Sequence, residues 1–304
     1  MIQSKHFEVI IIGGSYSGLS AAMALGRSLR QVLVIDSGLA CNRQTPHSHN
    51  FITHDGQKPN VISAKAKIQV ALYKTVQFYN GLATKAIVTE NGFEITTASG
   101  AVFYAKKLLF ATGVKDLLPK IEGFDECWGI SVIHCPYCHG YEVKSEKTAI
   151  IANGEAGFEY AKLIANWTKE LRLCTNGKAT LTAEQIQILA KNKVAIIEDE
   201  IESFEHEKGN ISCIVFKNRE KISVKAVYHR PPFEQHCLLP SVLGCELTEQ
   251  GLLKVDHLQK TTLRGVFASG DNCYPARAVA MAVSSGSLAG AMINKELIDE
   301  EFMK

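Results

Sequence analysis

Two cysteines separated by two residues stand in the segment His134-Cys135-Pro136-Tyr137-Cys138-His139-Gly140. That spacing closes a small disulfide ring, and a thiolate of depressed pKa in such a pair attacks other disulfides. The same frame, flanked by His134 and His139, is also half of a zinc site. No second pair stands at the spacing the other half needs, since Cys237 and Cys245 are too far apart, so redox exchange is the stronger reading and no metal is expected. Cys41, Cys127, Cys174, Cys213 and Cys273 read as packed or incidental. His139, next to the second cysteine, can take a thiol proton near neutrality, because an imidazole of pKa about 6.5 is a better acceptor there than a carboxylate of about 3.9. Simple packing beside the pair is the alternative role.

A redox pair implies an electron donor or acceptor, and two glycine turns offer sites for one. The first lies in a strand, turn, helix, strand pattern over residues 9–12, 13–18, 19–28 and 32–35. Gly13, Gly14 and Gly18 allow a sharp turn and close approach of a pyrophosphate to the helix amides, with Ser15 where a middle glycine is usual. Asp36, at the end of the second strand, can bind a ribose hydroxyl pair. The second turn follows a strand at 148–151 and carries Gly154 and Gly157, but has Ala152 where its first glycine belongs. A helix at 158–167 and a strand at 171–173 complete that unit. Beyond it lie Cys174-Thr175-Asn176-Gly177, with Lys178 the nearby base.

These sites need a scaffold, and the rest of the chain supplies one. Residues 37–59 read as a long polar loop and 60–73 as a helix. Apolar runs at 75–79, 84–89, 92–97 and 101–104, broken by Asn-Gly and Ser-Gly pairs, predict an antiparallel meander ending in residues 107–110. Strands are expected near 194–197, 211–216 and 222–228, and Pro231-Pro232 reads as a connection between domains. A strand at 265–271 and a small-residue helix at 278–295 close the chain. At 304 residues, two domains are the first expectation. A formal charge of +2 gives no bulk attraction to nucleic acid or anionic membrane, so partners must be read from local sites. No membrane-length apolar span or secretory leader pattern is visible, and the odd count of nine cysteines suits a reducing compartment, so a cytoplasmic location is expected.

Taken together, the turn ending in Asp36, the Cys135/Cys138 pair before the second unit, and Gly265-Val266-Phe267-Ala268-Ser269-Gly270-Asp271 give the chain its likeness. Over nearly its whole length it resembles the low-molecular-weight thioredoxin reductase family of flavoproteins. The resemblance implies an α/β fold of two Rossmann-like dinucleotide-binding domains of the three-layer ββα type, the second inserted in the first. Residues 1–115 and 244–304 would bind FAD, and 116–243 would carry the redox-active cysteines. FAD contacts are expected from Gly13, Gly14, Ser15, Gly18, Asp36, Gly113, Gly270 and Asp271, the last on the ribityl chain. The resemblance also implies a homodimer, Cys138 facing the flavin, Cys135 meeting the substrate, and hinges near 114–119 and 231–243.

The chain departs from an ordinary thioredoxin reductase in carrying His139 where aspartate is usual, and in lacking the basic cluster that grips the 2′-phosphate of NADPH. Use of NADPH or NADH through Gly154, Gly157 and Lys178 is therefore left open. These departures resemble the dithiol oxidases that close disulfides in gliotoxin, holomycin and romidepsin, which share Cys138-His139-Gly140, Tyr141-Glu142 and a His-rich loop like His47-Ser48-His49-Asn50-Phe51. By that analogy Asn50 lies near the flavin, although the loop could equally be solvated surface. The expected activity is oxidation of a small-molecule dithiol through Cys135, Cys138 and FAD, with O2 as acceptor and His139 as base. Reduction of thioredoxin or a thioredoxin-like protein by NAD(P)H, and a flavin-bound redox sensor, are the alternatives.

Overall fold

The computed structural model describes residues 5–303. The chain folds into two compact units. The first comprises the chain up to Arg43, Asn50–Lys115 and the chain from Phe233 onwards; the second comprises Gln44–His49 and Asp116–Pro232.

The first unit begins with β1 (His6–Ile12), α1 (Tyr16–Arg27), β2 (Val32–Asp36), α2 (Pro59–Val70), β3 (Val76–Asn80), β4 (Ala83–Thr89), β5 (Gly92–Thr97), β6 (Val102–Phe110) and β7 (Val114–Asp116). Strands β3, β2, β1 and β6 lie parallel in that order, while β4, β5 and the first half of β6 form the antiparallel meander. The run at 75–79 therefore belongs to the parallel sheet, not to the meander. Residues 101–104 and 107–110 are not separate runs but parts of one strand. Its first half alternates between buried and less buried residues, whereas its last four residues are all buried, the signature of a strand covered on both faces.

The second unit contains α3 (Phe124–Cys127), β8 (Val132–Ile133), α4 (Pro136–His139), β9 (Thr148–Ile151), α5 (Gly154–Ile164), β10 (Leu171–Cys174), α6 (Ala183–Lys191), β11 (Ala195–Ile197), β12 (Ile201–Glu207), β13 (Asn210–Phe216), β14 (Ile222–Ser223) and β15 (Ala226–His229). A parallel sheet runs β11, β10, β9, β15, β8, and β12, β13 and β14 make a separate antiparallel sheet. The expected strand at 222–228 is thus two strands in two sheets. Helix α6 starts at a capping box in which Thr182 and Gln185 satisfy each other's backbone amides.

The chain then returns to the first unit through β16 (Phe233–Gln235), which pairs with β7. The remaining elements are α7 (Leu239–Leu243), β17 (Val266–Ala268) and α8 (Val279–Phe302). The unit boundary falls at Pro232/Phe233, before the expected 243/244, because Leu239 of α7 is buried in the same core as Ala83, Ala86 and Phe93 of the meander. Strand β17 pairs with Leu108–Phe110 of β6 and completes the parallel sheet. Helix α8 lies close against α1: a Cβ on Gly286 would stand 2.1 Å from the Ser17 carbonyl oxygen, a separation no side chain tolerates.

Candidate active site

The first glycine turn joins β1 to α1. Gly13 holds φ +107, and a Cβ there would stand 2.2 Å from the Ala111 carbonyl oxygen, so the position takes no side chain. Ser15 stands at the N-cap of α1 yet makes no capping hydrogen bond, and no acid occupies the first turn. The positive end of the helix is therefore left for an external anion. The Gly14 amide donates to Asp36 Oδ1 at 3.1 Å, which brings the acid at the end of β2 beside the turn. Ser17 and Ser269 share a hydrogen bond of 2.6 Å, and a Cβ on Gly270 would lie 3.0 Å from that of Ser17, so the Gly270–Asp271 segment closes on the same turn. Asp271 Oδ2 lies 3.7 Å from Arg277 Nε. Next to it, Asn272 Nδ2 donates to the Phe110 carbonyl, while its Oδ1 is buried without a hydrogen-bond partner. An unfilled acceptor, an uncapped helix end and a ribose acid together fit a dinucleotide such as FAD. Gly113 follows β6 with φ +66. Asn50, also at positive φ, donates its amide to Asp55 Oδ1 at 2.7 Å and makes none of the contacts that join Gly13, Gly14, Asp36 and Gly270.

The second turn has the same topology and different chemistry. Asn153 Oδ1 accepts the Gly154 amide at 2.8 Å and the Thr180 amide at 2.9 Å, and Asn153 Nδ2 donates to the Lys178 carbonyl at 2.8 Å. Gly157 donates its amide to the Asn153 carbonyl at 3.1 Å. The end of α5 that would receive a pyrophosphate is thus capped from within. Glu155, in the first turn of α5, adds a negative charge there and accepts from Gln185 Nε2. Asn176 Oδ1 is likewise occupied, accepting the Ile201 amide at 2.7 Å.

The cysteine pair sits between β8 and β9. Cys135 is the N-cap of the short α4, with Pro136 at its first position, and its carbonyl accepts the amides of Cys138 and His139, both at 3.2 Å. Both cysteines are free thiols. The Cys138 thiol donates to the Cys135 sulfur; together with the amides of Cys138 and Tyr137 and the charge of Arg230, it outweighs burial and lowers the Cys135 pKa to about 7. Burial pushes Cys127, Cys174, Cys237, Cys245 and Cys273 the other way, Cys174 to about 12, which marks them as inert.

His139 is held below its ordinary pKa by burial first and by His49 second, with Glu142 opposing. It is therefore a neutral imidazole at pH 7. His49 Nε2 lies 3.5 Å from Glu142 Oε1, and the His49 and His139 rings meet edge to face with centroids 6.5 Å apart. The segment Gln44–His49 folds with the second unit, so part of the His-rich loop is a wall of the thiol site. Three further neighbours were not anticipated. The Tyr160 hydroxyl donates to the His134 carbonyl at 2.7 Å, Arg230 lies over the Tyr160 ring, and the buried Tyr228 stacks edge to face against Tyr160.

With this geometry in hand, the chain can be compared with known proteins. Residues 7–286 match the family model of the pyridine nucleotide-disulphide oxidoreductases. The thioredoxin reductase tcpT of Claviceps purpurea is 31% identical over 98% of this chain and 96% of its own length. The thioredoxin reductase aclD of Aspergillus oryzae is 31% identical over 98% of each chain. The crystal structure of an oxidoreductase from Agrobacterium tumefaciens is 35% identical, covers 96% of this chain and 99% of its own, and superposes with a TM-score of 0.90. The chain belongs to the pyridine nucleotide-disulphide oxidoreductases. Within them it is a thioredoxin reductase-like flavoprotein, an FAD-dependent oxidoreductase acting on thiol or disulfide groups.

Proposed function

We propose that the protein oxidises a small dithiol to a disulfide, with dioxygen as the final electron acceptor. The observation that carries this reading is the second glycine turn, whose anion-binding end is filled by Asn153 and charged by Glu155. A reductase needs that end for the pyrophosphate of its nicotinamide nucleotide; a dithiol oxidase does not. The names of the fungal relatives favour the competing reading, reduction of a thioredoxin-like protein by NAD(P)H.

In the proposed reaction, one substrate thiol loses its proton to His139, which is neutral at pH 7, and attacks the oxidised cysteine pair at Cys135. The second substrate thiol then displaces Cys135, releasing the substrate disulfide and leaving both cysteines reduced. The low pKa of Cys135 makes it a good leaving thiolate in that step. Gly13, Gly14, Ser15, Gly18, Asp36, Gly270 and Asp271 would hold FAD, which when bound would accept the two electrons of the reduced pair. The sum is one dithiol plus O2 giving one disulfide plus hydrogen peroxide, so two electrons and two protons are conserved. Cys138 is assigned to the flavin side of this relay, and the protein to a homodimer, both on the family pattern.

An oxygen electrode with a peroxide assay tests the proposal. Dithiol alone should drive oxygen uptake, with peroxide and disulfide formed in equal amounts, and Cys135→Ser and Cys138→Ser should abolish it. Thiol chemistry that proceeds only with added NADPH or NADH would contradict the proposal.

A further inference from the structure

Arg230 follows β15 at the surface, with its guanidinium centre 4.4 Å from the centroid of the Tyr160 ring. Among the described residues no carboxylate pairs with it. Its position is nonetheless fixed, because cation and ring attract, and the same Tyr160 donates its hydroxyl to the carbonyl of His134, the residue before Cys135. The guanidinium is thereby tied to the backbone that presents Cys135, and its charge reaches the Cys135 sulfur. The buried Tyr228 hydroxyl, which has no hydrogen-bond partner, also lies within Coulombic range of Cys135. Tyr137 and Tyr141, exposed by 64% and 70%, add aromatic surface next to the pair.

A neutral dithiol would leave this exposed guanidinium, which no carboxylate pairs, without an anionic partner. A planar guanidinium is suited to grip a carboxylate through two parallel hydrogen bonds. We propose that Arg230 is the docking point for an anionic group of the substrate, so that the preferred thiols carry a carboxylate. This rests on the reading in which Cys135 is the cysteine that meets the substrate.

Arg230 could raise the reactivity of Cys135 simply by stabilising its thiolate, and the test must separate the two effects. Reduced protein is alkylated with iodoacetate and, separately, with iodoacetamide, and the rate at Cys135 is read by mass spectrometry of its peptide. The ratio of the two rates cancels the thiolate fraction and reports attraction for the carboxylate alone. At low salt the native ratio should exceed that of Arg230→Gln by about threefold or more, with Arg230→Lys between them. It should fall towards the Arg230→Gln value as salt rises, a measurement that needs only the native protein. Equal ratios in native and Arg230→Gln protein, or a native ratio indifferent to salt, overturn the proposal. In turnover, the preference in kcat/KM for dihydrolipoate over its neutral amide should shrink by a similar factor in Arg230→Gln, mainly through KM. Failure of the native protein to oxidise either compound counts against dithiol oxidation itself, while the alkylation ratio still decides the role of Arg230.

Discussion

The imidazole rings of His49 and His139 meet at right angles with their centroids 6.5 Å apart, and Glu142 Oε1 lies 3.5 Å from His49 Nε2. Partial burial disfavours a charge on His139, and protonating both rings would set two positive charges together, so His139 is held as a neutral base. Its pKa is depressed on folding. The neutral ring's contribution to stability is therefore present above the unfolded value of about 6.5 and is lost as pH falls through the folded value.

The acid limb in the rate of flavin reduction by dithiol should therefore lie below the ordinary imidazole value of about 6.5. Replacing His49 by Asn removes a like charge and should move the acid limb to higher pH. Glu142→Gln removes the opposing charge and should move it lower. A limb that stays in place in both variants would remove His139 from the base role.

Alkylation of Cys135 in reduced protein should have a pH midpoint near 7, set first by the hydrogen bond from Cys138. Cys138→Ala should raise that midpoint, and Cys138→Ser, which keeps a donor, should raise it less. Since the thiol is depressed from about 9, the thiolate's contribution to stability is present above pH 9 and lost as pH falls through 7. Mass-resolved alkylation against pH decides the matter, and equal midpoints in all three proteins would contradict it.

At the second turn, Asn153→Ala removes the side-chain cap of α5 and should lower stability by about 1 kcal/mol in denaturant unfolding. Glu155→Gln removes the charge facing an incoming pyrophosphate and should speed flavin reduction by NADPH by about two- to fivefold from a slow native rate. Tight nucleotide binding by the native protein would show that the turn is open after all.

Gly286→Ala should disturb the contact between α8 and α1, because its Cβ would meet the Ser17 carbonyl oxygen at 2.1 Å. Overpacking of this kind costs about 1–3 kcal/mol. Because Ser17 also bonds Ser269 beside the first turn, FAD content should fall together with thermal stability. Full FAD retention with unchanged unfolding would mean that the helices separate without cost.

The glycine turns, Asp36 and the cysteine pair were legible in the sequence because their local spacing carries the chemistry. Gln44–His49 was visible as a His-rich segment, but its membership of the second unit was not, since a loop's packing partner depends on long-range contacts with no periodic trace. Arg230 and Tyr160 were invisible for the same reason: they lie far apart in the chain and meet only once β15 and α5 have packed. Strand β12 hid because Ile201-Glu202-Ser203-Phe204-Glu205-His206-Glu207 buries only Ile201 and Phe204, leaving a run rich in charge. The edge strand β3 was misplaced because residues 75–79 carry the same apolar signal whether they pair in parallel with β2 or antiparallel with β4. The capping box at Thr182 and Gln185 could have been read from the sequence, and would have located α6.

In the proposed reaction electrons enter from a dithiol and not from a nicotinamide nucleotide. That entry point is read by mixing the yellow protein anaerobically with dihydrolipoate, NADPH or NADH in a stopped-flow spectrophotometer and following flavin absorbance. Bleaching should be fast with the dithiol, lost in Cys135→Ser, and slow with either nucleotide. Fast bleaching by a nucleotide, with none by the dithiol, would contradict the proposed reaction.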